Sequence, residues 1–179
     1  MEQQIRAQHS FVERIRGAAM LDTPTYEEVE ADTGATGQAA LVVALVAIAS
    51  AIAQVRAGVP SVLAGAVSAF VAWAIWSAIT YVIGTWLGGT ATWGELLRTI
   101  GFAHAPGILV VASLVPVVGE LIALIAFFWV LIAGIIAIRQ ALDFGTGRAI
   151  LTAVLGFIPW LIAMALVEAA MGGHTVFSS

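Results

Sequence analysis

From residue 39 onward, long apolar runs alternate with short breaks rich in glycine, proline or charge, a pattern that predicts membrane helices joined by turns. Four runs are plain. Residues 39–55 form the first, closed by Arg56, Gly58 and Pro60, and residues 61–87 form the second, longer than a bilayer needs and so tilted or protruding. Residues 121–138 lie between Glu120 and Arg139, and residues 149–167 carry Pro159 in their middle and end at Glu168.

The stretch between the second and third of these, residues 93–120, decides the topology. It starts amphipathically with Leu96, Leu97 and Ile100, then meets His104, Pro106, Gly107 and Pro116. Read as a helix over residues 99–118 it is 20 residues long, about 30 Å, enough to span the hydrocarbon core. Read only over residues 107–115 it is a re-entrant loop. Arginine placement separates the two. With five crossings and the N-terminus inside, the cytoplasmic side receives Arg6, Arg14, Arg16, Arg98, Arg139 and Arg148, and the outer side only Arg56. A re-entrant segment would move Arg139 and Arg148 outside, giving four against three. The positive-inside rule selects five crossings.

Ahead of the apolar runs, residues 3–21 read as an amphipathic helix. Ile5, Phe11, Val12, Ile15 and Ala19 share one side, with Arg6, Ser10, Glu13 and Arg14 opposite. Such a helix lies in a membrane interface or packs on a protein surface. Thr23-Pro24 has the form of an N-cap followed by proline at the first helical position, opening a short acidic helix. Residues 34–37 read as a hinge, with Thr36 capping the first membrane helix. No apolar segment of signal-peptide type precedes residue 39, so the first run is expected to remain as an anchor. The fold class is all-α: a cytosolic segment at 1–38 with an amphipathic helix, a five-helix membrane domain at 39–171, and a short outer tail at 172–179.

Composition sharpens this in two ways. Of 179 residues, 61% are hydrophobic and 10% charged, against roughly 25% charged in soluble domains. Residues 1–38 hold three arginines and seven acids, ten of the eighteen charges. The other four arginines and four acids cancel, so the net charge of −4 belongs to the N-terminal segment. That distribution argues against nucleic acid as a partner. There is no cysteine, hence no disulfide or thiolate chemistry.

Candidate chemistry is sparse. On the second helix Ser77, Thr80, Tyr81, Gly84, Thr85 and Gly88 form one stripe of small and hydroxyl groups, which Trp73 extends. Gly84 and Gly88 make GxxxG, so the plainer role is close helix packing with hydroxyls bonding across the seam, and the sharper one a polar path or ligand groove. Trp86 and Trp93 suit an interfacial belt, while Trp73, Trp76, Trp129 and Trp160 fall near mid-helix and need internal acceptors or a cavity. His104 lies inside the third helix, about one turn from its cytoplasmic end, and suits a hydrogen-bonded structural role better than a proton relay. His9, His104 and His174 sit on separate segments and make no metal site. Arg56, Glu120 and Glu168 map to outer helix ends, which predicts an ion pair between Arg56 and one of the two acids. HExxH, Gly-x-Ser-x-Gly and P-loop patterns are absent. Residues 143–149, DFGTGRA, resemble the opening of lipid-headgroup transferases, but no aspartate follows Asp143 to hold their metals, so the segment reads as a turn and a helix start. No catalytic, cofactor-binding or metal residue is predicted.

The strings TYEEVEAD and GQAALVV, then GTATWGELLRTIGFAHAP, PVVGELIALIAFFWVL and IRQALDFGTGRAIL, resemble the Yip domain family over roughly residues 10–170, its prokaryotic branch above all. Those proteins were first named for interacting with Rab-type GTPases. The resemblance implies a cytosolic N-terminus, five crossings, and a non-enzymatic scaffold that organises membranes or recruits partners, as in membrane trafficking. One departure is plain: the chain lacks the DLYGP-like motif of eukaryotic members and has only His104-Ala-Pro106-Gly107 in a comparable place. GTPase binding therefore does not carry over.

The function expected is a scaffold or adaptor in the cell membrane, N-terminus cytoplasmic and C-terminus outside, touching the bilayer and unidentified protein partners, with self-association open. Its docking candidates are Ile5, Phe11, Val12, Ile15, Tyr26, Glu27 and Glu28. The alternative is a small transporter or channel using the second helix's stripe. Because the chain has no cysteine, topology is directly testable by one-sided labelling of single-cysteine variants. Ser10→Cys and Thr146→Cys are expected to label from the cytoplasm, Ser61→Cys and Ser178→Cys from outside. Cytoplasmic labelling at position 178 would refute five crossings.

Overall fold

The computed structural model describes residues 9–53, 59–115 and 118–170, and among these every regular element is helical. Helices α1 (Phe11–Ala19) and α2 (Thr23–Ala31) form a hairpin ahead of the bundle. The bundle is α3 (Ala35–Ala53), α4 (Val59–Trp86), α5 (Trp93–Ala103), a 3-10 helix (Ala105–Leu114), α6 (Val118–Ala141) and α7 (Thr146–Ala170). Five stretches are long and apolar enough to cross a membrane: Ala35–Ala53, Leu63–Trp86, Trp93–Leu114, Val118–Ala141 and Thr146–Ala170. The third is the segment on which the topology turned, and at 22 residues it has the length of a crossing.

Several boundaries differ from the sequence expectation for local reasons. The first helix begins at Phe11, because Ser10 and Glu13 form a reciprocal capping box; residues 3–8 lie outside the described residues. There is no hinge at residues 34–37. Asp32 closes the turn by accepting from the Gly34 N–H at 2.9 Å, α3 starts at Ala35, and Thr36 donates to the Thr33 carbonyl from inside the first turn. Glu120 and Arg139 lie within α6 rather than bracketing it.

The third crossing changes helix type midway. Pro106 has no N–H to give the carbonyl four residues back, and the Gly107 N–H bonds the His104 carbonyl at 2.8 Å in the tighter pattern. His104 therefore stands at the junction of α5 and the 3-10 helix, after all 11 residues of α5 and not one turn from the cytoplasmic end. Its Nδ1 lies 2.7 Å from the Ile100 carbonyl oxygen.

Three helices stop in the same way. After α1, α4 and α6 the chain passes through left-handed backbone at Leu21 (φ 63), Gly88 (φ 87) and Asp143 (φ 53). The following amide reaches back five residues in each case: Asp22 to Gly17, Gly89 to Gly84 and Phe144 to Arg139, all at 2.9 Å. This Schellman geometry satisfies the carbonyls a helix end leaves open.

Helix α5 is the centre of the packing. Leu96, Thr99, Ile100, Gly101 and Phe102 are buried, and α1, α2, α3, α4 and α6 all lie against α5. At Gly101 a Cβ would fall 2.7 Å from the Ala39 Cβ and 3.2 Å from the Trp73 ring, so only glycine lets α3 and α4 approach together. Helices α4 and α7 run antiparallel, with Trp76 edge-on to Trp160 at 6.1 Å and Gly156 beside Ile79.

The 3-10 helix and the start of α6 touch backbone to backbone at Gly119, where a Cβ would lie 2.1 Å from the Ala112 oxygen. Gly119→Ala is expected to lower the melting temperature, through overpacking of about 1–3 kcal/mol. Gly134→Ala, in the same helix with open space around it, should be neutral or gain up to about 1 kcal/mol of helix propensity. Thermal unfolding of both variants in detergent is the check.

Candidate functional site

The charged residues gather at one end of the bundle, where α1 and α2 close over the α4–α5 and α6–α7 turns. Its most enclosed group is Arg14 of α1, only 1% exposed. A buried guanidinium is tolerable only when paired and hydrogen-bonded. Arg14 Nε donates to Glu28 Oε1 at 2.9 Å, and Nη1 reaches Asp32 Oδ2 at 2.8 Å and Gln38 Oε1 at 3.0 Å. Glu28 also takes the His9 ring, at 2.5 Å from Nδ1. One side chain thus ties α1 to α2, to the α2–α3 turn and to the start of α3.

The second buried guanidinium is Arg98 of α5, 6% exposed. Its partners are carbonyls: Nε donates to Val29 at 2.9 Å and to Glu30 at 3.1 Å, and Nη2 also bonds the Glu30 carbonyl. These belong to the last turn of α2, which has no basic residue of its own and needs both donors and positive charge. Arg98 and the end of α2 complete each other.

Smaller contacts seal the rim. Arg139 Nη2 donates to Thr23 Oγ1 at 3.2 Å and Gln140 Nε2 to Glu27 Oε1 at 3.1 Å, both from α6 to α2. Thr90 joins the two turns, its N–H to the Leu142 carbonyl at 3.3 Å and its hydroxyl to Asp143 Oδ2 at 3.0 Å. Underneath, Tyr26 is wholly buried and donates to the Ala18 carbonyl at 3.0 Å, while Phe11 sits edge-on to Phe102 at 6.4 Å. Burial pushes the Tyr26 hydroxyl above its ordinary value.

Electrostatics divide the carboxylates of α2. The Arg14 hydrogen bond holds Asp32 below its ordinary range. Burial works against Glu28, but the hydrogen bonds from His9 and Arg14 prevail and hold it low as well. Glu30 is the opposite case. Burial, then the charges of Glu95, Asp143 and Glu27, push its carboxyl up to about 7, against a smaller opposing pull from the Arg98 charge.

Of the docking candidates, the structure turns most inward. Phe11 and Ile15 are half-buried, Tyr26 is buried, and Glu28 is held in the Arg14 cluster; Ile5 lies outside the described residues. Val12 is 72% exposed and Glu27 is exposed beside Gln140. With Met20, 65% exposed, and Glu13, Arg16 and Asp22 they form the outward face of the hairpin. A shallow open concavity runs along it between Arg16, Met20, Leu21 and Asp22. Sequence reasoning missed Arg14, which it set on the polar side of its helix, and Arg98. The available signal was an arginine set among apolar positions of an amphipathic helix, Arg98 between Leu97 and Ile100 above all.

The stripe on α4 is closed. Ser77 and Thr80 are fully buried, Gly84 is buried against the Leu142 side chain, Tyr81 and Thr85 are half-buried, and Gly88 is the exposed terminator. The hydroxyls do not bond across the seam: Ser77, Thr80 and Thr85 donate to the carbonyls of Trp73, Trp76 and Tyr81 on their own helix, each at 2.8 Å. Backbone oxygens four residues back are nearer than any partner helix. Trp73 does bond across, from Nε1 to the Leu97 carbonyl at 3.0 Å. Arg56 lies outside the described residues, so its expected pairing with Glu120 or Glu168 has no structural account.

Three variants test this arrangement. Gly84→Leu should lower thermal stability because Leu142 already fills the space. Arg14→Met leaves Glu28 and Asp32 without their cation and should destabilise the hairpin by about 3–5 kcal/mol. The pH dependence has two opposite arms. Glu28 and Asp32 are depressed, so their contribution is present above their ordinary values of 4.5 and 3.8 and is lost as pH falls through the lower folded values. Glu30 is raised, so stability is complete below 4.5 and declines as pH rises toward about 7. Glu30→Gln should flatten the second arm alone, read by hydrogen exchange of α2 on either side of that range.

No curated protein and no solved structure matches the chain. A family model described as Yip1 domain matches residues 19–170, from the end of α1 to the end of α7 and so across all five membrane-spanning stretches. The chain is a multi-pass membrane protein and belongs to the Yip1 domain family.

Proposed function

We propose that this protein is a non-enzymatic membrane scaffold that holds its α1–α2 hairpin at the cytoplasmic face of the cell membrane as a platform for protein partners. The observation carrying this reading is that the hairpin is locked to the bundle from beneath while its outer face stays open. Arg14, Arg98, Tyr26 and Phe11 face inward, and Val12, Glu13, Arg16, Met20 and Glu27 are left to solvent. A mobile tail loses binding energy on ordering, whereas a fixed surface does not. The orientation rests on arginine: Arg14, Arg16, Arg98, Arg139 and Arg148 all belong to the hairpin end, which the positive-inside rule assigns to the cytoplasm.

The family's general character supports a role without catalysis, in organising membranes or recruiting partners. A small GTPase as partner stands on family analogy alone, and self-association is a further mode such a platform allows. A transporter would need an open polar route, and the one stripe that offered it is packed shut, its hydroxyls bonded to their own helix.

The test places a photocrosslinking residue at Val12, Met20 or Glu27, or at lipid-facing Val154, in the full chain in native membranes. Discrete protein adducts are expected from the first three positions only. Val12→Glu with Met20→Glu should remove them without lowering the melting temperature. Equal adducts from Val154, or ion or solute flux through the purified protein in liposomes, would overturn the reading.

A further inference from the structure

The second half of the third crossing is a 3-10 helix of 10 residues, Ala105–Leu114. Both ends are closed by bonds to the third residue back, from the Gly107 N–H to the His104 carbonyl at 2.8 Å and from the Val115 N–H to the Ala112 carbonyl at 2.9 Å. Runs beyond about three or four residues are uncommon because the tighter hydrogen bonds are poorer, and inside a longer helix they mark hinges. Pro106 accounts for the start, since it has no N–H for the Phe102 carbonyl. It does not account for the length. Residues 107–114 contain no further proline and no left-handed backbone, so nothing in ILVVASL at 108–114 forbids a return to α-helix.

Length supplies the reason. At about 1.5 Å per residue, the 24 residues of α6 reach about 36 Å and the 25 of α7 about 37 Å. The third crossing, Trp93–Leu114, has 22 residues and as a plain α-helix would reach only about 33 Å. With 10 of them at about 2.0 Å each it reaches about 38 Å. The 3-10 segment thus brings the short crossing to the length of its neighbours. The first half cannot give way, because α5 is enclosed and Arg98 holds it to α2. Side chains follow the same period. Gly107, Val110 and Ser113 are half-buried in one line, three apart, while Leu109, Val111 and Leu114 are exposed. An α-helix turns about 100° per residue against about 120°, so conversion from Gly107 onward would swing Ser113 by about 120°, toward the side Leu109 holds. It would also turn Ala112 away from Gly119, where a Cβ would meet the Ala112 oxygen at 2.1 Å. Packing on α6 holds the long form; the covalent chain beyond Pro106 does not.

We propose that Ala105–Leu114 is a length-adjusting element, a 3-10 helix in a thick bilayer that returns to α-helix in a thin one. Each amide then moves from the carbonyl three residues back to the one four back, and the crossing shortens by about 5 Å. The driving force is hydrophobic mismatch: an apolar segment longer than the hydrocarbon core must tilt, kink or thicken the bilayer, each at a cost. Helices α4 and α6, continuous and free of internal proline after Pro60, have only tilting open to them. The third crossing has a second hydrogen-bond pattern to fall back on. This inference is independent of the hairpin platform, whose docking runs through Arg14 and Arg98.

The experiment measures distances by pulsed electron paramagnetic resonance on the full-length protein, which has no native cysteine to compete for spin labels. Trp93→Cys with Leu114→Cys, both exposed positions, brackets the third crossing, and Leu63→Cys with Val82→Cys gives a reference pair within α4. The bilayers are nanodiscs of dimyristoleoyl, dioleoyl and dierucoyl phosphatidylcholine, in order of thickness. The thickest should give one long distance, and the thinnest a second distance about 5 Å shorter, with the α4 pair unchanged. A label at Ser113→Cys should gain access to lipid-dissolved oxygen as the short form appears. Pro106→Ala, which restores an N–H for the Phe102 carbonyl, should populate the short distance in the dioleoyl bilayer as well; if that variant does not fold, the wild-type comparison decides alone. One unchanged distance in all three lipids, a shortening shared by the α4 pair, or a shortening without new access at Ser113, which is a bend, would overturn the proposal. So would a folded Pro106→Ala protein with the background distances in every bilayer.

Discussion

A guanidinium at the buried end of a membrane bundle must find acceptors, and Arg98 finds them only if α2 is docked. Its donors meet the carbonyls of Val29 and Glu30, which the end of α2 would otherwise leave open. Neither side is satisfied alone. The dependence runs both ways: α5, the helix most enclosed by its neighbours, needs α2 at its start, and α2, nine residues long, is too short to hold as an isolated helix. The hairpin is for this reason part of the folded bundle and not an appendage to it.

Arg14 repeats the logic one layer out. Its carboxylate partners sit on α2 and on the turn into α3, so the hairpin is fixed to the first crossing as Arg98 fixes it to the third. Between the two arginines lie Tyr26, Val29, Ala18 and Phe102, all without exposed surface. Burial removes water from these charges, and it is the same burial that raises Glu30, where neighbouring carboxylates outweigh the opposing charge of Arg98. Stability and pH response at this end therefore have one cause.

Below that layer the bundle is closed by shape. Glycines at 84, 101, 119 and 156 admit Leu142, Ala39 and Trp73, the Ala112 backbone, and Trp76 with Ile79. Hydroxyls fold back onto their own helices, so the stripe on α4 offers no continuous polar route. What is left open is the outward face of the hairpin.

The sequence by itself determined the five crossings, because apolar length and arginine asymmetry are properties of the chain and the bilayer, independent of how helices pack. It also marked the start of a short acidic helix at Thr23-Pro24, although the N-cap is Asp22, one residue before the expected Thr23, because the Asp22 carboxylate accepts from the Thr25 N–H. It placed Phe11 and Ile15 on an apolar face, but the face alone does not say whether a partner or the chain's own bundle covers it. Only the tertiary structure decided that Phe11 meets Phe102, that Arg98 closes α2, and that Pro106 turns half a crossing into 3-10 helix. These contacts join residues up to 116 positions apart, as from Thr23 to Arg139. Periodicity reads one helix at a time, whereas a buried charge is answered by whichever element the fold brings to it.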